Sequence, residues 1–196
     1  MQATFVPLVS VFTLISRSSL LLSLSLACAF PAIADKADRA QALSFAADAA
    51  RVDEVRKLNI LTGNVEITKG TMVVQAERVE VRQNPDGTQT ATAIAGPKGR
   101  AYFRQKREGL DEFIEGEADT VVYDGRDDTV QFQGHAVMRR LKGQSPADEV
   151  AGQLITYDNK SNVFQVAGRA PGATTSGRVR GVIVPRAPEA KPEARP

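Results

Sequence analysis

The fold is decided by residues 118–138, which read ADTVVYDGRDDTVQFQGHAVM. Val121 and Tyr123 alternate with polar residues, and the return run alternates in the same way, which is the period-two pattern of strands with one buried face. Between the two runs lies Asp124-Gly125-Arg126-Asp127, a composition typical of a tight turn. The stretch therefore predicts a β-hairpin, and Gly134 predicts a bulge or sharp bend before a further strand.

This pattern occurs four times along the chain. Each copy begins with a short pair, most often Ala and an acidic residue, continues with alternating apolar residues and ends at a Gly. In three copies an Asp precedes that Gly by ten residues, and the remaining copy has a longer turn. The copies are Ala47-Asp48, Val52-Asp53 and Gly63; Ala76-Glu77, Val79, Val81 and Gly96; Ala118-Asp119, Tyr123-Asp124 and Gly134; and Gly152-Gln153, Tyr157-Asp158 and Gly168. Such repetition predicts hairpin units that together build one fold.

The repeats predict an all-β chain of roughly a dozen to sixteen short strands. Hairpins with one apolar face have to bury that face, so two facing sheets, or a jellyroll-like stack extended along one axis, satisfy the pattern. The ends of such a stack carry unpaired edge strands, which invite pairing with another chain. One segment conflicts locally, because Lys36–Lys57 is rich in Ala and Arg and favours a helix. Its fit to the repeat predicts strand over Phe45–Gly63.

Composition excludes some classes of protein. The chain has 196 residues, of which 42% are apolar and 24% charged, enough for a single domain with a real core. Its 25 basic residues nearly balance its 23 acidic ones, giving a net charge of +2. That balance lacks the basic excess typical of nucleic-acid-binding proteins, so no nucleic-acid partner is expected.

Residues 1–34 are predicted to be a cleavable signal peptide. Leu20–Phe30 is an apolar run too short to span a bilayer comfortably, and Ala32-Ile33-Ala34 forms an A-x-A cleavage site. Two alternatives stay open: an uncleaved anchor that joins Phe5–Ile15 to the second run, and a lipoprotein modified at Cys28. Cleavage would remove the only cysteine, so the exported chain would not depend on disulfides.

The remaining chain divides into a domain and a tail. Residues 35–184 carry the repeats and form the predicted β-domain. Residues 185–196 contain four prolines, which block both helix and strand pairing, so this segment is predicted to be disordered.

Catalytic and metal-binding patterns are sparse. His135 is the only histidine, and without a cysteine partner it is interpreted as an exposed strand residue. No zinc spacing, nucleophile elbow, phosphate loop or dinucleotide fingerprint occurs, so no metal or cofactor is expected. The many acidic residues leave open a glycosidase pair or a calcium site, although most are expected to face solvent or to open turns. They are Asp111, Glu112, Glu115, Glu117, Asp119, Asp124, Asp127 and Asp128.

Basic residues form two clusters near the ends of predicted strands. We interpret both as solvated surface, with contact to the phosphates of an anionic lipid or polysaccharide as the alternative. The clusters are Lys98, Arg100, Arg104, Lys106 and Arg107, and Arg139, Arg140 and Lys142.

Several segments together resemble the OstA-like family: Gly63–Gly70, Ala76–Val79, Ile114–Asp119, Val122–Asp124 and Phe132–Ala136. The resemblance implies a β-jellyroll of antiparallel strands, open at both ends, that stacks end to end through edge strands. It implies a non-enzymatic periplasmic protein that bridges the inner and outer membranes and needs no cofactor. The implied cargo is lipopolysaccharide, whose acyl chains travel in the apolar interior. The implied partners are lipopolysaccharide with its lipid A, inner-membrane LptC-type and outer-membrane LptD-type jellyroll domains, and further copies of the chain.

The candidate lipid-binding residues are the apolar ones expected to point inward. They are Ile67, Val74, Val79, Val81, Ile94, Phe103, Val121, Tyr123, Val130, Phe132, Ile155, Tyr157, Phe164 and Val166. The alternative is that they simply fill a closed core, as in a structural periplasmic or surface β-repeat protein. A secreted carbohydrate-active enzyme with paired acids is the remaining alternative. Stacking is expected at the N-terminal end, near Val52 and Leu61, and at the C-terminal end, near Phe164 and Val166.

Overall fold

The computed structural model describes Asp38 and residues 41–97, 99–169 and 177–185. The predicted signal peptide and the predicted tail beyond Pro185 lie outside the described residues. Among these residues, no helix is long and apolar enough to cross a membrane.

Twelve antiparallel β-strands make up the described fold, as the repeat pattern predicted. The Ala-rich segment that locally favours helix forms two of them, so the repeat was the better guide. The strands are β1 (Ser44–Ala46), β2 (Ala49–Asp53), β3 (Leu58–Lys69), β4 (Met72–Gln83), β5 (Gln89–Ile94), β6 (Ala101–Lys106), β7 (Glu112–Ala118), β8 (Thr120–Asp124), β9 (Thr129–Lys142), β10 (Ser145–Asp158), β11 (Val163–Ala167) and β12 (Arg180–Ile183).

The strands pair into one sheet that bends over into two layers. Each long strand pairs at one end with one short strand and at the other end with another: β3 with β2 and β1, β4 with β5 and β6, β9 with β8 and β7, and β10 with β11 and β12. The first layer therefore holds β2, β5, β8, β11 and the adjoining halves of the long strands. The second layer holds β1, β6, β7, β12 and the other halves.

The marker glycines lie at the bends between the layers, as predicted. The β3–β4 register shifts between Thr62 and Val65, where Gly63 adopts a positive φ of 77°. Gly134 in β9 repeats this conformation with a φ of 76°. A positive φ suits glycine because it has no Cβ to clash with the backbone. At each bend an acidic side chain from the paired segment lies directly over the glycine, Asp48 over Gly63 and Asp119 over Gly134. The repeated acid–glycine pairs thus form the corners of the fold.

The two layers enclose the core. Phe103 of the second layer meets Phe132 of the first in an edge-to-face contact, with ring centroids 6.0 Å apart and planes at 78°. The Phe132 ring also lies against Gly116 of β7, in a space that a side chain at 116 would occupy. Burying each such large apolar side chain stabilises the fold by roughly 1.5–3 kcal/mol.

Candidate functional site

The inward faces of both layers form one apolar interior, which contains most of the candidate residues. Ten of them are almost completely buried: Ile67, Val74, Val79, Val81, Phe103, Val121, Val130, Phe132, Ile155 and Tyr157. Tyr123 and Val166 are half-buried and contact this core. Phe164 shares the face of its cross-strand partner Tyr157 but is 38% exposed, because β11 lies at an edge.

The placement of Ile94 on the inward face was wrong. Ala93 pairs with the buried Val79, so Ala93 occupies the inward face, while Ile94 lies opposite Arg78 and Thr120 on the outer face. Side chains alternate with a period of two, so a one-residue difference moves a side chain to the other face. The Ile94 side chain is larger than that of Ala93, but size does not determine which of two neighbouring residues faces the core.

Further interior residues were not among the candidates. They continue the same alternation in β3, β4, β6, β7, β9 and β10, so that period was the signal that identifies them. They are Leu61, Val65, Met72, Ala101, Ile114, Ala118, Ala136, Met138 and Val150. Leu61, expected near the N-terminal stacking end, lies within the core and is only 2% exposed.

Opposite the bends, the turns of the two layers face each other across an opening, which we call the mouth. Its C-terminal half contains a polar cavity of about 410 Å³, which we call the mouth cleft. Thr71, Gln105 and Lys106 line it from the second layer, and Asn159 and Lys160 line it from the first. Residues of the β6–β7 and β10–β11 turns complete its lining.

Asn162 accepts one hydrogen bond from the opposite layer and one from its own layer at the base of the mouth cleft. The Arg107 Nε donates to Asn162 Oδ1 at 3.3 Å, and the Tyr157 hydroxyl donates to the same oxygen at 3.0 Å. Burial raises the pKa of Tyr157, and the positive charge of Arg107 beside it opposes that rise. The neutral hydroxyl is therefore kept as a donor at neutral pH.

Beside this connection lies a smaller pocket of about 50 Å³. It shares Arg107, Tyr157 and Asn162 with the mouth cleft. The rest of its lining consists of the charged Arg140 and Asp148 and of four apolar side chains: Ile114, Met138, Val150 and Phe164. The small pocket therefore joins the polar cleft to the edge of the apolar interior.

An ion-pair network on the inward face forms part of the lining of this pocket. Arg140 pairs with Asp148 at 2.6 Å and with Glu112 at 3.3 Å, and Glu112 also pairs with Arg107. The side chains of Arg140 and Arg107 are only 11% and 12% exposed, so the interpretation of these two residues as solvated surface was wrong. Its neighbour Arg139 points outward and pairs with Glu149 at 2.7 Å, and this hydrogen bond raises the pKa of Arg139.

Both ends of the fold carry strands that pair on one side only within the described residues. At the N-terminal end these are β1 and β2, and at the C-terminal end β11 and β12. Large apolar side chains are exposed beside them: Phe45 and Val52 at one end, and Val163, Phe164, Val182 and Ile183 at the other.

Comparison with known proteins identifies the family. A family model described as LptA/(LptD N-terminal domain) LPS transport protein matches residues 45–163, which is more than half of the chain. The chain belongs to this family. Its general role is therefore in lipopolysaccharide transport.

Relatives in this LPS transport family match along most of their length. The lipopolysaccharide export system protein LptA of Escherichia coli (strain K12) is 28% identical over 171 residues, covering 87% of this chain and 86% of that protein. LptA of Haemophilus influenzae is 25% identical over 175 residues, covering 88% and 94%. The crystal structure of LptH, the LptA-homologous periplasmic component of the lipopolysaccharide transport device from Pseudomonas aeruginosa, matches with a TM-score of 0.67 at 23% identity. It covers 76% of this chain and 99% of LptH, which establishes the jellyroll fold.

In this LPS transport family member, His135 has a structural contact. Its Nδ1 lies 2.8 Å from Asp119 Oδ2 at one bend, just as Asn64 Nδ2 donates to Asp48 Oδ2 at 2.8 Å at another. His135 and Asn64 both adopt a positive φ, which His and Asn tolerate better than most residues. Two repeats thus use the same corner geometry.

The acidic residues serve mainly as turn and strand partners. Asp124 and Asp158 accept hydrogen bonds from backbone N–H groups in their turns, as predicted. Glu115 lies on the outer face of β7, where it accepts a hydrogen bond from the Tyr102 hydroxyl at 3.1 Å. Burial and the Glu115 charge raise the pKa of Tyr102. Within the described ranges, no three His, Cys, Asp or Glu side chains are grouped to hold a metal ion.

Proposed function

We propose that this protein is a periplasmic bridge component that carries the acyl chains of lipopolysaccharide between its two layers. The observation that carries the proposal is an apolar interior that extends between two free edges and opens through the mouth. Its family role in lipopolysaccharide transport supplies the cargo. The periplasmic location of LptH supports the same compartment for this chain.

The acyl chains would enter where the interior is incompletely covered. Phe103 and Phe132 contact each other and fill the centre of the interior. An acyl chain would therefore bind first at the less buried positions around it. Tyr123, Phe164 and Val166 are inward-facing and incompletely buried, which makes them the rim of this path. Each methylene removed from water there contributes about 0.8 kcal/mol to binding. Deeper entry would require the layers to part.

The free edges support end-to-end joining. Strand addition uses the unpaired backbone groups of an edge, and exposed apolar side chains then give the joint specificity. The N-terminal pair β1 and β2 would meet the C-terminal pair β11 and β12 of another jellyroll. The expected partners are further copies of the chain and the LptC-type and LptD-type jellyroll domains of the inner and outer membranes. The predicted export signal at residues 1–34 is consistent with this arrangement.

Site-specific photo-crosslinking tests lipid passage. A photoreactive residue at Phe164, on the inward face of β11, is expected to label lipopolysaccharide when the full chain is purified after export. The matched control is Gln165, the next residue, which is exposed on the opposite face of the same strand. A second pair of crosslinking positions lies in β8: Tyr123 faces inward, and its neighbour Val122 on the opposite face is the control.

The outcomes separate the candidate functions. Labelling at the inward position of each pair supports transport through the interior. Equal labelling at Phe164 and Gln165 would indicate that lipopolysaccharide adsorbs non-specifically to the protein surface. No labelling at either pair, with the protein folded, would indicate a closed core and a structural β-repeat protein.

A further inference from the structure

The mouth cleft has the size of a ligand site but not the lining of a hydrocarbon site. Its volume of about 410 Å³ falls in the range usual for small-molecule pockets. Three cations and three carboxylates line it and cancel in charge: Lys106, Arg107 and Lys160, and Asp38, Glu108 and Asp128. An acyl chain there would desolvate these charged groups without offering them hydrogen bonds, and an isolated anion would meet as much negative as positive charge.

The hydrogen-bonding groups of the cleft are mixed donors and acceptors. Asn159 and Asn162 supply amides, Tyr157 and Thr71 supply hydroxyls, and the charged groups add further donors and acceptors. A ligand that both donates and accepts at many points satisfies this set, and a sugar with its hydroxyls is such a ligand.

One acceptor in the cleft lacks a partner. Gln105 follows the buried Phe103 by two residues, so its side chain also points inward from β6. Its Nε2 donates to Asp38 Oδ2 at 3.3 Å, whereas its Oε1 is buried and has no hydrogen-bond partner among the described atoms. Buried polar atoms are nearly always paired, so an unpaired acceptor calls for a donor. A sugar hydroxyl in the cleft would supply that donor.

The volume, the mixed hydrogen-bonding groups and the unpaired acceptor of the cleft point to one ligand chemistry. The pocket beside the cleft, at about 50 Å³ and lined in part by the Arg140–Asp148 ion pair, is too small and too charged for an acyl chain. We infer that the mouth cleft binds the sugar headgroup of the carried lipid, whose acyl chains would lie between the layers. This inference rests on the proposed function and adds a second contact for the same cargo.

Replacing Gln105 tests the sugar contact. Gln105→Met keeps the length of the side chain and removes its hydrogen-bonding groups. Gln75→Met is the matched control, because Gln75 lies on the outer face of β4 and is bonded to Glu66 at 2.9 Å. Binding to the full chain is measured with three probes: lipid A, lipid A stripped of its phosphates, and palmitate, an acyl chain without sugar.

We expect Gln105→Met to weaken binding of both lipid A forms by about three- to ten-fold, as the loss of a hydrogen bond does. Palmitate binding should stay unchanged, and Gln75→Met should alter none of the three. Lys106→Met, at the cleft rim, gives an independent variant with the same expectation if Gln105→Met lowers the thermal midpoint.

Other results would overturn the inference. Unchanged lipid A binding in both cleft variants, or an equal loss for palmitate, would exclude a sugar contact. An effect seen only with the phosphorylated lipid would mean that the cleft binds phosphate instead. If the unsubstituted chain binds none of the three probes, the proposed function itself fails, which is a separate outcome.

Discussion

At the residue scale, the fold depends on small residues placed where another group needs the space. Gly63 and Gly134 lie beneath Asp48 and Asp119 at the bends, and both need a positive φ. Gly116 has a different task, since it provides the flat surface against which Phe132 packs. The first kind of glycine is visible in the repeat, whereas the second depends on the opposite layer.

Gly116→Ala tests this inter-layer contact. The new Cβ would come within 2.6 Å of Phe132 Cε1 and 2.9 Å of the Val137 carbonyl oxygen, so the layers would have to shift. We expect a loss of about 1–3 kcal/mol in the free energy of unfolding, as for other overpacked cores. Urea denaturation measures it. Gly99→Ala is the control, because nothing lies within 4 Å of its Cβ position; equal losses in both variants would contradict the contact.

The β10–β11 turn predicts a pH dependence. Hydrogen bonds from Ser161 and Lys160 lower the pKa of Asp158 below its ordinary value of 3.8. A carboxylate with a lowered folded-state pKa stabilises the fold above 3.8, and this contribution is lost as the pH falls through the folded value. Asp158→Asn should therefore be less stable than the unsubstituted chain at pH 6. Urea midpoints measured against pH should converge below 3.8, and a constant difference would contradict the assignment.

At the element scale, the edge strands differ from the central ones in exposure. Every residue of β1 and β12 is exposed, whereas central strands such as β4 and β9 alternate buried residues with more exposed ones. An edge strand contributes little to its own domain core. It is therefore free to evolve towards contacts with another chain.

Ile183→Lys tests joining at the C-terminal edge. Ile183 is 74% exposed on β12, so a charge there should leave the monomer folded and disrupt apolar contact with a second copy. Light scattering after size-exclusion chromatography, over a range of concentrations, should show oligomers for the unsubstituted chain and monomers for the variant. Leu110→Lys, in the β6–β7 turn, is the control. Unchanged oligomerisation in Ile183→Lys at every concentration would rule out this edge.

At the scale of the whole molecule, stability is concentrated where the layers meet. Phe132 contacts both Phe103 and Gly116 of the opposite layer and is fully buried. The mouth, in contrast, is spanned at the mouth cleft by the hydrogen bond from Arg107 to Asn162. This difference would let the mouth part while the bends hold the layers together.

Phe132→Ala measures the stability of the inter-layer core. Removing this ring leaves a cavity between the layers, and we expect a loss of about 3–5 kcal/mol in the free energy of unfolding. Phe45→Ala, at a side chain that is 52% exposed on the edge strand β1, should cost much less. Thermal or urea unfolding compares the two variants. A similar loss in the free energy of unfolding for both variants would contradict a core centred on Phe132.

The sequence by itself determined the strand content, the turns and the bends, because these depend on neighbours a few residues apart. The alternation of Val121 and Tyr123, the Asp158 turn and the ten-residue step to Gly134 are all local patterns. The OstA-like resemblance rested on the same patterns in order, and the family match agrees with it.

Only the tertiary structure decided which residues meet across the layers. Whether Ala93 or Ile94 faces inward depends on the register between β4 and β5. The inward position of Arg140 and the contact of Arg107 with Asn162, 55 residues away, depend on how distant strands pair. Register and layer contact are set by pairing between remote segments, and a period of two within one strand carries no information about its partner.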